Sequence, residues 1–220
     1  IWQYLDRRKR RPDTPFESAV QWIECPEQGY SELIVVTHDR PLLFEKICCA
    51  LAAQEINILS ADIYTRADGV VLDVIRVCTT DMQAVTNYYR QMSAIMTLYE
   101  VNQEDHYDPK QYLEVKNNYL RNNNEDAIPF PVRAYVDHES DPIFTLIEIQ
   151  AIDRIGLLHD LLHTINQHGL DTIHARIATE NGAALDTLYV QTSDSAQKVT
   201  APDTLASLQA ALGEVIKPRN

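Results

Sequence analysis

No stretch of this sequence approaches the roughly 20 consecutive apolar residues that a membrane-spanning helix needs, so no helical bilayer span is expected. The opening residues lack the apolar core of a secretory signal. The sequence starts at Ile1 rather than Met, as a piece of a longer chain would. Positive charge is scarce: 19 Lys and Arg stand against 32 Asp and Glu, for a formal charge of −13. Such a surface repels phosphate backbones, which excludes nucleic acid as the main partner. The exception is the run from Arg7 to Arg11, read as a solvated helix face. The four cysteines, at 25, 48, 49 and 78, show no CxxC spacing. Cys48 and Cys49 adjoin inside an apolar helical pattern, which points to reduced core thiols in a cytoplasmic protein. A Gly-rich phosphate cradle, a GxSxG elbow and a workable Ser/His/Asp order are all missing, so no catalytic residue is assigned and no cofactor is expected in this chain.

What is present is ordinary globular composition, 45% apolar and 23% charged over 220 residues, and a repeat. Residues 32–79 and 145–192 are two writings of one unit. A shift of 114 places Asp39-Arg40 on Asp153-Arg154, Leu43 on Leu157, Asn57 on Asp171 and Ala61 on Ala175. After the hairpin turns the shift becomes 113, matching Gly69 to Gly182 and Asp73 to Asp186. The expected division is a connecting segment 1–16, copy one 17–102, a linker 103–130 and copy two 131–220. In the linker, Tyr112, Val115, Tyr119 and Leu120 fall at helical spacing.

Within copy one, Glu32 to Val36 reads as a strand, and Pro41 suits a helix start. Leu43, Phe44, Ile47, Cys48 and Leu51 then mark one face of a helix. Residues 57–65 and 70–78 read as a hairpin around Asp68-Gly69. Asp81 is the expected N-cap of a second helix ending near Ala94, and 97–101 a closing strand. Copy two repeats the order with strands 144–151, 171–179 and 184–192, helices 156–167 and 203–212, and a closing strand 213–217. An extra strand precedes each copy, near 19–25 and 131–138.

A strand ending in Asp-Arg-x-Gly-Leu-Leu and opening a helix inside a βαββαβ unit resembles the ACT domain family. The closer resemblance is to the tandem C-terminal ACT pair of the protein-PII uridylyltransferase/uridylyl-removing enzyme family. There, too, the first copy carries an Asp-Arg-Pro loop followed by bulk, as in Asp39-Arg40-Pro41-Leu42-Leu43-Phe44, and the second keeps glycine, as in Asp153-Arg154-Ile155-Gly156-Leu157-Leu158. Ile155 departs from the usual Pro. The resemblance implies an α+β fold of two ferredoxin-like βαββαβ domains, each preceded by an extra strand and packed side by side. It also implies a module that senses a free amino acid, glutamine, and governs uridylylation and deuridylylation of the signalling protein PII. A homodimer is compatible with it. The parent's Gly-Ser nucleotidyltransferase motif and metal-binding HD domain are absent from this sequence, so any Mg²⁺ would belong to the parent.

A free amino acid presents a carboxylate and an ammonium, and a helix N-terminus suits the carboxylate. In the pairing that the resemblance implies, each site joins the loop of one copy to the second strand of the other. The expected ligand site is therefore Asp153, Arg154, Ile155, Gly156, Leu157 and Leu158 facing Asn57, Ile58 and Leu59. Gly156 removes a Cβ that would hold a ligand off the backbone. Asp153 either accepts from an ammonium or caps the helix, Arg154 either meets a ligand or is solvated, and Asn57 either pairs with a ligand or serves as a turn residue. Leu42 replaces Gly156 in copy one, so the mirror cleft against Asp171, Thr172 and Ile173 is expected to be blocked. A module that has lost its ligand and serves only for docking or dimerisation is the alternative. His159 and His163 share a helical face, as in zinc helices, but Leu158, Leu161, Leu162 and Ile165 mark the buried side, which points both histidines to solvent. Asp73 and Asp186, matched on the third strands, are assigned a structural role facing solvent.

Overall fold

The computed structural model describes residues 18–66, 68–103 and 130–217. The expected linker helix and the basic run lie outside these residues. Copy one contributes strands β1 (Ala19–Cys25), β2 (Tyr30–His38), β3 (Asn57–Thr65) and β4 (Val70–Cys78), with helices α1 (Leu43–Ala53) and α2 (Tyr88–Gln103). Copy two contributes β5 (Arg133–Asp137), β6 (Thr145–Ile152), β7 (Leu170–Glu180) and β8 (Ala183–Thr192), with α3 (Leu157–Gln167) and α4 (Pro202–Val215). All eight strands form one sheet in the order β1-β2-β4-β3-β7-β8-β6-β5, which reads the same from either end once the copies are exchanged. The helices line up α2-α1-α3-α4 against it. A single apolar core runs through both copies, from Leu33 and Ile75 on one side to Ile147 and Leu188 on the other. The two halves join where β3 meets β7 antiparallel, at Ser60–Ala178, Ala61–Ile177 and Asp62–Arg176.

Both expected closing strands are corrected. Residues 97–101 belong to α2, and residues 213–215 extend α4. In α2 the buried positions Gln91, Ala94 and Leu98 recur at helical spacing, and Leu208 and Leu212 of α4, with Ile216 capping its end, do the same. The sheet position that a closing strand would take is filled by the strand preceding each copy: β1 pairs with β2, and β5 with β6. Each copy is thus a ferredoxin-like unit whose last strand has moved to the front, ββαββα. The start of α2 is also corrected from Asp81 to Tyr88. The Val85 carbonyl accepts from Trp22 Nε1 at 3.2 Å, Ser31 Oγ at 3.2 Å and Gln91 Nε2 at 2.7 Å, which pins an extended segment where the helix was expected. The helix then starts behind Asn87, whose Oδ1 accepts from the Arg90 N–H at 3.1 Å, an ordinary cap.

The candidate functional site at the seam between the copies

The repeat and the sheet order together make two pseudo-symmetric clefts at the seam, and they differ in size. The cleft built from Asp153, Arg154, Gly156, Leu157 and Leu158 against Asn57 and Ile58 encloses only about 20 Å³. Its counterpart, built from residues 39–45 against Asp171, Thr172 and Ile173, encloses about 470 Å³. The expectation of a blocked mirror cleft is therefore reversed: the roomy cleft is the one with Leu42. Ile155 and Leu59 do not line the small cleft, although the other expected residues do.

Two local differences account for the asymmetry. In the small cleft, Asn57 Nδ2 donates to Asp153 Oδ2 at 2.8 Å, and Thr179 Oγ1 donates to the same oxygen at 3.0 Å. Burial raises the Asp153 carboxyl, and these bonds pull it back. At the matching place in the large cleft, Asp171 replaces Asn57. Asp39 then faces a like charge and cannot accept from it. The Asp39 carboxyl is raised by burial first, and the Asp171 charge adds to that rise. An amide bonded to a carboxylate draws one side of the seam together, while two carboxylates hold the other apart.

Size acts in the same direction. A Cβ built on Gly156 would meet only the Ala52 Cβ, at an ordinary contact distance of 3.9 Å, so α1 and the second loop face each other here through two small residues. The corresponding pair in the large cleft is Leu42 and Asn166. Gly156 and Leu42 share a left-handed backbone, with φ of 79° and 62°. At that φ Gly156 suits the turn without strain, and Leu42 bears strain that a glycine would avoid. Gly156→Leu is expected to lower stability by about 1–2 kcal/mol, read as a drop in Tm of roughly 2–8 °C, while leaving the large cleft intact.

Asp73 and Asp186 are corrected from solvent-facing to buried, at 1% and 4% exposure. Asp73 lines the large cleft and Asp186 the small one. Neither oxygen of Asp73 meets a side-chain partner. Burial lifts its pKa to about 8, against a lowering by the Tyr64 backbone, with the neighbouring Asp39 charge adding to the rise. Burial likewise lifts Asp186 to about 7, against one long bond from the Ala178 N–H at 3.4 Å. The large cleft thus gathers Asp39, Asp73, Asp171 and Glu45 around a single cationic side chain, Arg40, beside the first turn of α1. That composition suits a ligand carrying a positive charge and a carboxylate.

The histidines are corrected as well. His159 is 3% exposed, and its Nε2 lies 3.8 Å from Glu45 Oε1 across the seam. His163 Nδ1 contacts the same oxygen at 2.9 Å. Amphipathicity within one copy identifies the side of α3 that meets the sheet, but the side that meets α1 of the other copy leaves no mark in the local period. Burial raises the Cys48 thiol well above its ordinary value, so it is inert as a nucleophile.

A ferredoxin-like unit in duplicate, joined edge to edge with paired clefts at the seam, defines a tandem pair of ACT-type domains. The chain is homologous to the C-terminal part of bifunctional uridylyltransferase/uridylyl-removing enzymes. It is 31% identical to that enzyme of Gluconobacter oxydans over 193 residues, 88% of this chain. To the one of Rhodospirillum rubrum it is 29% identical over 188 residues, 83% of this chain. The chain spans about a fifth of the length of these curated relatives. No family model matches the sequence. A solved aspartate kinase from Synechocystis aligns with 86% of this chain, and this chain covers 27% of that one, at 12% identity and a TM-score of 0.42.

Proposed function

We propose that this chain is a cytoplasmic amino-acid-sensing module of a uridylyltransferase-like enzyme, with glutamine as the ligand, and that it controls modification of the signalling protein PII. The observation that carries the reading is the open seam cleft of about 470 Å³, within the usual range for small-molecule sites. In it the ligand ammonium lies between Asp39 and Asp171, and the α-carboxylate meets the leading amides of α1, which precede the helix's own hydrogen-bond ladder. Asp73 lines the same cleft behind them. Because the two walls come from different copies, occupancy favours one relative arrangement of the halves over another, and coupling of about 1–3 kcal/mol is ordinary for such linkage. The closed cleft around Asn57 and Asp153 holds the copies together on the other side.

The expected result in a thermal-shift assay with a panel of amino acids is a rise in Tm with glutamine at millimolar concentration and little with methylamine or acetate, which carry one charge each. No shift with any amino acid would leave the docking-module reading, which the small volume of the second cleft favours. It would be supported by self-association unchanged in Gly156→Leu.

A further inference from the structure

Glu45, His159 and His163 bring one carboxylate and two imidazoles together between α1 and α3, with all their ligating atoms within 4.8 Å of one another. A tetrahedral ion with ligands at about 2.0–2.1 Å holds them about 3.4 Å apart. The Glu45–His163 and Glu45–His159 separations, 2.9 Å and 3.8 Å, bracket that distance. His159 supplies the decisive detail. Its Nδ1 lies 3.3 Å from Asp160 Oδ1, which assigns the ring proton there. Its Nε2 is then an acceptor, buried, without a hydrogen-bond partner, and facing the Glu45 carboxylate. Two acceptors turned toward each other in a buried place need a cation or a donor between them.

The outer partners fit the same reading. Glu45 Oε2 accepts from Asn166 Nδ2, His159 has its carboxylate at Asp160, and the Gln167 amide, whose Nε2 donates to His163 Nε2 at 2.8 Å, presents its Oε1 to the Nε2–H of a metal-bound ring once the amide is flipped. Each ligand is thus oriented through its far polar atom, the arrangement that steadies metal-binding histidines and carboxylates. Two imidazoles and a carboxylate suit Zn²⁺, with the fourth position left to water.

We propose that Glu45, His159 and His163 form a Zn²⁺ site that ties the two copies together across the seam. It shares Glu45 with the large cleft but uses none of Asp39, Asp73 or Asp171, so its zinc readout and the amino-acid readout can fail separately. The ion takes the place of the proton that His163 Nδ1 shares with Glu45, and the ring proton moves to Nε2, which keeps the imidazole neutral. Because Glu45 also lines the large cleft, the site sits in that cleft's wall.

The test is calorimetric titration of chelator-treated protein with Zn²⁺, together with the visible spectrum after adding Co²⁺. Expected are one Zn²⁺ per chain at micromolar affinity or tighter, a rise in Tm, and the strong absorption of four-coordinate cobalt. His163→Gln and Glu45→Gln each lower affinity by about 100-fold or more, Gln167→Ala by about 10-fold, and the exposed control His174→Gln leaves it unchanged. If His159→Gln fails to fold, the half-exposed His163 carries the comparison. Binding no tighter than millimolar, or binding that His163→Gln and Glu45→Gln leave intact, would show a hydrogen-bonded trio only and overturn the proposal.

Discussion

Asp171→Asn is expected to close the large cleft. The substitution gives that side the amide–carboxylate pair that already holds Asn57 to Asp153 at 2.8 Å. It also removes the like charge that raises Asp39. A hydrogen bond to a charged group contributes about 1.5–3 kcal/mol, and part of that is spent on drawing Leu42 and Asn166 together. A net gain of about 1–2 kcal/mol should appear as a rise in Tm of roughly 2–8 °C. The amino-acid-induced shift should disappear at the same time. The reciprocal change, Asn57→Asp, sets a second carboxylate against the largely buried Asp153 and leaves it without that bond. A loss of about 1–3 kcal/mol is expected there, with the small cleft opened. Equal Tm values for both variants and the parent, or an undiminished ligand response in Asp171→Asn, would remove the electrostatic account of the asymmetry.

Raising the pH from about 5 to about 8 is expected to destabilise the fold, and Asp73→Asn is expected to flatten that dependence. The sign follows from proton binding. Asp73 and Asp186 titrate near 8 and near 7 when folded, against an ordinary 3.8. Between those limits the folded chain keeps protons that the unfolded chain has released, so stability falls as pH rises and levels off above about 8. One pKa unit corresponds to 1.36 kcal/mol, so a margin of several degrees in favour of Asp73→Asn should open at pH 8 and vanish near pH 4. Melting curves at intervals across this range provide the measurement. Parallel curves for parent and variant would show that Asp73 is ionised in the fold.

Much of this architecture was legible in the chain. The repeat, the Asp68-Gly69 and Asn181-Gly182 hairpins and all the inner strands follow from local period and turn chemistry. Even the matching irregularities at 58–60 and 172–174 fall at equivalent places in the two copies. The closing strands failed because short apolar runs such as 97–101 fit either period, and only the sheet shows that β1 and β5 already occupy the edges. The site was half legible. Asp39, Asp153 and Asn57 stand where the repeat puts them, but which cleft opens depends on pairs more than ninety residues apart, Asn57 with Asp153 and Asp171 with Asp39. Reading Gly156 as the ligand's doorway weighed one residue by itself, whereas its left-handed turn and its neighbour Ala52 belong to the fold around it. The same applies to His159, whose partner Glu45 belongs to the other repeat.

Moving the last strand to the front has a mechanical consequence. The copies meet through three aligned residue pairs between β3 and β7, whereas β2 and β4 align over eight. The sheet is thus thinnest in hydrogen bonds at its middle, and that joint is where it bends most readily. β1 and β5 lie three strands out on either side, roughly 14 Å away at the usual strand spacing. A tilt of about 10° at the joint sweeps each outer strand through roughly 2.5 Å at that radius. Because β1 is also the first described strand, whatever covalently precedes it is attached to the tip of a lever whose fulcrum is the seam between the two clefts.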